Sequence, residues 1–414
     1  MSAIGALVGL LLSIFLIVRK VSPFYSLLLG ATIGGLVGGF GIAETVAQMI
    51  SGVKDVSPAI VRILSAGVLT GTLIKSGAAA SIAHFMVEKL GNKRVYASLA
   101  LSCFVLTGIG VFIDVAVITV APIALNIGKE LKISKAPLLL MMIGGGKCGN
   151  IISPNPNTIV AAENLQADLS QVMLANAFPA LIGLIFVIWV MPLIFPSGDL
   201  EVMEDEVSVA EKILPGIGVS LVAPITAILL LAMRPVLDIA IDPLLALPMA
   251  GLAGVAATRS WNKLEEGLNY GLMRMSSIAI LLVGTGTIAG IIKASSIKDV
   301  LLSVLSSMSL DPAVLAPFSG AVMSAASAST TAGATIASAT FGSMMLEAGV
   351  GAIAAAAMMN AGATVLDHLP HGSFFHATGG VMNFNIKDRL RLIPYESLIG
   401  LFLAILSYVF LVLF

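Results

Sequence analysis

Charge is what this sequence has least of. Asp, Glu, Lys and Arg make up 11% of its 414 residues, where a soluble globular chain carries about a quarter. A chain this poor in charge cannot cover its own surface in water, but it can in lipid, and that excludes a soluble globule. Cysteine is scarce too. Cys103 and Cys148 both lie in apolar runs, which speaks against a disulfide framework. The apolar runs are unbroken where the strands of a membrane barrel would alternate, so a β-barrel is also excluded. The basic stretch of a secretory leader is missing: Arg19 and Lys20 follow the first apolar run (Met1–Leu16) instead of preceding it, and the run reads as an uncleaved first span. No His-Glu-x-x-His, Gly-x-Ser-x-Gly or phosphate-loop motif occurs, nor any Cys/His cluster for a metal. Gly144-Gly-Gly-Lys147 has neither the first Gly nor the Ser/Thr of a phosphate loop. Nothing points to a cofactor, a metal, a nucleic-acid partner or an enzyme.

What is present is apolar: 58% of residues are hydrophobic. At ~20 residues per spanning helix the chain accommodates roughly ten spans, and no stretch resembles a separate soluble domain. The pattern predicts an all-α, multi-pass protein of a cell inner membrane with the lipid bilayer as its main partner. Spans are expected near 3–18, 24–41, 57–75, 171–195, 213–233, 243–258, 273–292 and 393–414. Segments 95–129 and 312–346 are too long for one span and interrupted by small or polar residues, so they are expected to be re-entrant hairpins. Segments 136–165 and 350–380 are apolar at both ends and broken centrally, as broken transmembrane helices are.

Basic residues test this topology, because they concentrate in short cytoplasmic loops. With Arg19 and Lys20 inside, Lys89, Lys93, Arg94, Lys129, Lys132, Lys135, Lys212, Arg259, Lys263, Arg274, Lys387, Arg389 and Arg391 all fall inside. Lys54, Arg234, Lys293 and Lys298 remain outside. Both termini are then expected on the outer side.

Sliding the chain by about 219 positions superposes small residues in order: Leu28 on Leu247, Gly35 on Gly254, Gly52 on Gly271, Gly67 on Gly286 and Gly71 on Gly290. Met141-Met142-x-x-Gly145 likewise parallels Met358-Met359-x-x-Gly362. With the topology above, the halves have opposite orientations. We therefore expect two inverted repeats, 1–196 and 212–414, joined by an acidic linker at 197–211.

Non-helical backbone at membrane depth occurs only inside protein or against a water-filled cavity. Four such places are expected: the tips Gly108–Asp114 and Ser324–Gly333, and the breaks Gly144–Thr158 and Asp367–Ser373. Their polar side chains are the candidate substrate ligands: Lys147, Asn150, Ser153, Asn155, Asn157, Thr158, Ser327, Ser329, Thr330 and Thr331. Freed backbone groups and facing helix ends would add partial charge suited to a small organic anion. Ionisable residues at this depth are functional candidates by default. Asp114, Asp367, His368 and His371 are the candidate proton carriers. Lys147 either anchors a substrate carboxylate or forms an internal ion pair with Asp114 or Asp367. His84 lies on an amphipathic segment and His376 near the cytoplasmic end, and both read as ordinary histidines.

At these residues the sequence resembles the gluconate permease family (gluconate:proton symporters) of the ion transporter superfamily, from about residue 22 to the C-terminus. The family's Phe-Tyr-Glu-Val reads Phe112-Ile-Asp114-Val115. Its His-Gly and Pro-Pro-His-Pro-Gly-Pro-Thr runs read Cys148-Gly149 and Ser153-Pro-Asn-Pro-Asn-Thr158. Its late His-Val-Asn-Asp-Ser-Gly-Phe is similar to His368-Leu-Pro-His371-Gly-Ser-Phe374. The resemblance implies a homodimer of scaffold and transport domains moving as an elevator, and proton-coupled uptake of a gluconate-like sugar acid or hydroxy-acid. The departures are a shortened acid at Asp114, Cys148 in place of His, and the added cation Lys147. They leave the transporter class intact and bear on which acid is carried. A Na⁺-coupled carboxylate transporter or Na⁺/H⁺ exchanger is the alternative within transport. An intramembrane enzyme or a binding-only sensor is the alternative outside it.

Overall fold

A computed structural model describes residues 1–91, 94–195, 214–239, 241–297, 300, 303 and 311–413. The acidic linker and the basic residues Lys93, Lys212 and Lys298 lie outside the described residues, as does the side chain of Arg234. Among the described residues the regular structure is entirely helical. The main helices are α1 (Ala3–Val18), α2 (Pro23–Val37), α3 (Ile42–Lys75), α4 (Ala78–Leu90), α5 (Val95–Gly108), α6 (Ile113–Leu131), α7 (Lys135–Asn150), α8 (Pro156–Asn164) and α9 (Leu169–Ile194). In the second half come α10 (Val222–Leu237), α11 (Pro243–Thr258), α12 (Leu264–Lys293), α13 (Leu315–Ser327), α14 (Thr330–Glu347), α15 (Ala352–Gly362), α16 (Ser373–Val381), α17 (Ile386–Leu390) and α18 (Ile393–Tyr408). Among the described residues, four helical stretches are long and apolar enough to cross a membrane: Ile42–Lys75, Leu169–Ile194, Trp261–Lys293 and Ile386–Leu413.

The two longest helices, α3 and α12, form the central pair. In lipid no hydrophobic effect drives helices together, so close contact depends on small side chains. Here they are glycines. A Cβ on Gly71 would stand 2.0 Å from the Gly267 carbonyl oxygen, and one on Gly52 would stand 2.0 Å from that of Gly286. Neither site has room for a methyl group. Small residues also fasten α5 to α7: a Cβ on Gly145 would meet the Ala100 carbonyl at 2.0 Å, and Thr107 Oγ1 donates to Gly146 O at 3.0 Å.

That packing changes one expectation. The sequence suggests a break over Gly144–Thr158, but the helix runs on to Asn150 and only residues 151–155 leave helical geometry. The glycines at 144–146 keep their backbone hydrogen bonds and serve instead as contact surface for α5, α9 and α18. The proline-rich segment after them makes the true break, because Pro154 and Pro156 supply no backbone donor. The other interruptions are short. Residues 109–112 join α5 to α6, with Gly110 at φ 103°, a conformation glycine adopts without strain. Ala328 and Ser329 join α13 to α14, and Ser329 Oγ caps α14 by accepting from Ala332 N at 3.3 Å. Residues 363–372 separate α15 from α16.

Two apolar clusters organise the interior. One is built on α1–α3, α8, α11, α12 and α13–α15; the other on α4–α7, α9 and α18. Cys103 and Cys148 are buried free thiols in the second.

The glycine contacts give a direct test. Gly71→Leu should abolish monodisperse folded protein in detergent or lower stability by more than the ~1–3 kcal/mol typical of overpacking. Gly380→Ala, where an added Cβ meets nothing within 4 Å, should behave as wild type in the same size-exclusion and melting assays.

Candidate functional site

Both turns and both breaks open onto one cavity of about 340 Å³. Phe112, Ile113 and Asp114 reach it from the α5–α6 tip, and Ala328 to Thr331 from the α13–α14 tip. Asn150 and Asn157 flank the first break; Asp367, Ser373 and Phe374 come from the second. The remaining wall is one face of α12: Met273, Arg274, Ser277 and Ile278. Thus Asn150, Asn157, Ser329, Thr330, Thr331, Asp114 and Asp367 line one space. Lys147, Ser153, Asn155, Thr158, Ser327, His368 and His371 are not part of its lining.

Lys147 lies behind the cavity wall and is fully buried. Its ammonium donates to Asp367 Oδ1 at 2.6 Å and to the Thr364 carbonyl, and it faces His368 Nδ1 at 3.1 Å. Three N–H groups meet three acceptors. Of the two roles expected for Lys147, this geometry is the internal ion pair, with Asp367 as partner. Asp367 in turn accepts from Thr330 Oγ1 at 2.5 Å through its other oxygen. A chain of contacts therefore runs from Lys147 through Asp367 to the cavity wall.

His368 is equally buried and faces two ways. Its Nε2 lies 3.1 Å from the Ile393 carbonyl oxygen and 3.1 Å from Ser397 Oγ. A carbonyl only accepts, so this hydrogen-bond pattern assigns the ring proton to Nε2, and in the neutral ring Nδ1 accepts from Lys147. A second proton on Nδ1 would be donated to Asp367 Oδ1, 3.1 Å away. Beyond His368 lies another buried pair, Arg389 with Glu396, with Arg389 also donating to Thr378 Oγ1 at 3.2 Å. His371 is partly exposed and faces the Ala326 carbonyl at the α13–α14 tip, 3.1 Å from Nε2. His84 and His376 are exposed and lie away from the cavity.

The amides near the first break form a network. Asn155 Nδ2 donates to Asn150 Oδ1 at 2.8 Å, Asn157 Nδ2 to Asn360 Oδ1 at 2.7 Å, and Asn360 Nδ2 to Thr158 Oγ1 at 3.0 Å. Asn176 ties the same region to α15 and α18, donating to Ala357 O at 3.0 Å and accepting from Ser407 Oγ at 2.7 Å. Ser153 donates to Asn150 O, and Ser327 to Met323 O, both at 2.8 Å. These residues hold the backbone that carries the lining groups.

Sequence reasoning missed four participants. Arg274, which the pattern of basic residues assigns to a cytoplasmic loop, lines the cavity and donates from Nη2 to Asp114 Oδ2 at 2.8 Å. Its position one residue inside an expected span was the available signal. Arg389, also counted as a loop residue, is buried against Glu396. Asn360, a lone amide in an Ala/Met run, stood out only by that isolation. Arg62, on α3, joins Glu163 at the end of α8 to Asp242 before α11, and no local pattern marked it.

Comparison with known proteins bears on what such a site does. The family profile of GntP family permeases matches residues 1–248. The chain belongs to the GntP permease family. A Haemophilus influenzae protein described as an uncharacterized transporter is 51% identical over 98% of this chain and 97% of its own length. The gluconate permease of Pseudomonas aeruginosa is 26% identical over 79% of each chain. Among solved structures, the YdaH transporter of Alcanivorax borkumensis has a similar fold, with a TM-score of 0.61 at 14% identity over 89% of this chain and 88% of that one. This GntP family member is accordingly an all-helical, multi-pass membrane transporter, not an enzyme.

The Lys147–Asp367 pair yields a non-additive prediction. Lys147→Met leaves a buried carboxylate without its cation and should lower stability by about 3–5 kcal/mol. The double variant Lys147→Met/Asp367→Asn should recover most of that loss in thermal or denaturant unfolding. Equal, additive losses would show that the two groups do not act as a pair.

Proposed function

We propose that the protein is a secondary active transporter carrying a small carboxylate, a gluconate-like sugar acid or hydroxy-acid, together with protons across the inner membrane. The observation that carries this reading is the convergence of two hairpin tips and two helix breaks on one polar cavity. Four departures from helical geometry are costly in a membrane unless buried in protein or opened to water, and their meeting at one cavity is the arrangement of a transporter's solute site. Asn150, Asn157, Ser329, Thr330 and Thr331 are the substrate-binding groups. Ser153, Asn155, Thr158 and Ser327 support them, and Lys147 positions Asp367. Asp114, Asp367, His368 and His371 carry the proton coupling.

The two halves, 1–196 and 212–414, act as inverted repeats. A shift of about 219 turns the Gly52–Gly286 contact into the Gly271–Gly67 contact, and both occur. The same shift takes Arg274 to Asp55, which lines a second cavity of about 200 Å³ between α3, α12 and α14. We take the two cavities as the opposed faces of one alternating-access cycle. Hairpins and broken helices form the transport domain; the long helices form the scaffold of a homodimer, and the motion is elevator-like. Both termini face the outer side.

One observation favours a Na⁺-coupled variant of this reading: Asn155 Oδ1, in the first break, is buried with no donor among the described residues. Uptake of labelled D-gluconate into proteoliposomes separates these cases. An inward proton gradient should accelerate uptake several-fold, a protonophore should abolish the effect, and replacing Na⁺ by choline should change nothing. Dependence on Na⁺ without response to the proton gradient would replace proton coupling by Na⁺ coupling. Absence of transport for every sugar acid and hydroxy-acid tried would overturn the substrate class.

A further inference from the structure

The carboxylate reading leaves open which cation receives the substrate, since the ammonium of Lys147 is fully engaged. Among the described residues that line the cavity, Arg274 alone is cationic. Its side chain is about a third exposed, at 32%, where Lys147 is at 0%.

The way Arg274 holds Asp114 is unlike the other arginine pairs. Arg62 grips Asp242 with two tines of its fork, Nε at 2.9 Å and Nη2 at 2.6 Å, the two-point geometry a guanidinium prefers with a carboxylate. Arg389 likewise uses both Nη1 and Nη2 on Glu396. Arg274 meets Asp114 through Nη2 alone, at 2.8 Å; its buried Nε, like that of Arg389, has no hydrogen-bond partner among the described residues. The group is held in place by aromatic rings instead, its Cζ 5.2 Å from the Phe112 ring centroid and 6.0 Å from that of Tyr270. Arg274 is thus a fixed fork used at one point, open to a cavity whose opposite wall carries hydroxyl and amide groups.

Resting on the carboxylate-transport reading, we propose that Arg274 is the anchor for the substrate carboxylate, and that substrate and Asp114 are alternative occupants of it. The ligand class is a short monocarboxylate bearing hydroxyls. Its carboxylate takes the fork, and its hydroxyls meet Ser329, Thr330, Thr331, Asn150 or Asn157. Asp114, once displaced, takes one proton from the aqueous phase and becomes neutral. When the substrate leaves, Asp114 gives that proton up and returns to Arg274. Among the described residues that line the cavity, the charged groups are Asp114 itself, Arg274 on α12 and Asp367, and the Tyr270 ring centroid lies 6.0 Å from the Arg274 guanidinium. Arg274 belongs to a helix of one apolar cluster and Asp114 to a hairpin of the other. The pair is therefore also a latch between them, which the substrate opens.

The test uses purified full-length protein with D-gluconate, D-glycerate and the uncharged polyol D-glucitol as probes. Wild type should be stabilised by an acid and not by glucitol. Arg274→Gln should lose about tenfold or more in affinity for that acid, as expected for loss of a charge-assisted contact, and Arg274→Lys should restore part of it. Asp114→Asn, with the internal competitor neutralised, should bind the acid several-fold more tightly. In proteoliposomes it should still exchange internal for external acid but no longer respond to a proton gradient. A folded Arg274→Gln protein that binds as wild type does overturns the anchor while leaving the transport reading intact. Gradient-driven uptake by Asp114→Asn overturns the competition, and that variant decides the matter even where Arg274→Gln fails to fold. A wild-type protein that binds neither acid overturns the carboxylate reading and the anchor with it.

Discussion

Hydrocarbon offers no partner to a backbone N–H or C=O, and each such group left unpaired costs several kcal/mol. Every helix interruption here must therefore be buried in protein or opened to water, and the structure gathers them. The tips at residues 109–112 and 328–329 and the breaks at 151–155 and 363–372 meet around a single cavity. Thr70 Oγ1 donates to the Gly110 carbonyl at 3.0 Å, and His371 faces the Ala326 carbonyl, so freed backbone acceptors find side-chain partners. The polar character of the site follows from this need as much as from any need of a ligand. Serine, threonine and asparagine at the breaks satisfy the backbone first, and their remaining capacity faces the cavity.

The same low-dielectric surroundings govern the charges. A lone ion at this depth is very costly, and removing one partner of a pair costs more than removing both. The buried ions are accordingly paired: Lys147 with Asp367, Arg389 with Glu396. Each reaches further: Asp367 also accepts from Thr330 at the cavity wall, and Arg389 also donates to Thr378. The partly exposed pair Arg274–Asp114 is the looser one, and it faces the cavity. The ion pairs thus divide into two fully buried ones and a shallower one, Arg274–Asp114, that borders the cavity.

Much of this was legible in the sequence, and the reasons differ by element. The spans show as apolar runs because lipid imposes that composition on every exposed face. The tips and breaks show as Gly, Pro, Ser, Asn and His inside those runs, since little else interrupts them. Gly144–Gly146 misled because glycine serves two ends: it frees the backbone, and it lets helices touch, which is its use here against Ala100 and Val187. Arg274 and Arg389 were hidden for another reason. Counting basic residues by loop assigns a side, but it says nothing of where a long side chain points. Lys147 showed itself as an ion in need of a partner, yet choosing Asp367 over Asp114 required the fold. Pairings such as Asn157 with Asn360 cross between the halves and leave no trace in local spacing.

A substrate seated in the cavity bounded by both tips, both breaks and α12 must shield the residues that line it. Ser277 lines it from α12, and the native thiols at Cys103 and Cys148 are buried and slow to react. The most direct measurement is the rate at which a small thiol reagent modifies a Ser277→Cys variant, with and without an acid the protein transports. The transported acid should slow labelling in a concentration-dependent way, with half-protection near its half-saturating concentration for uptake. Labelling at the same rate at saturating acid, in a variant that still transports it, would contradict the account.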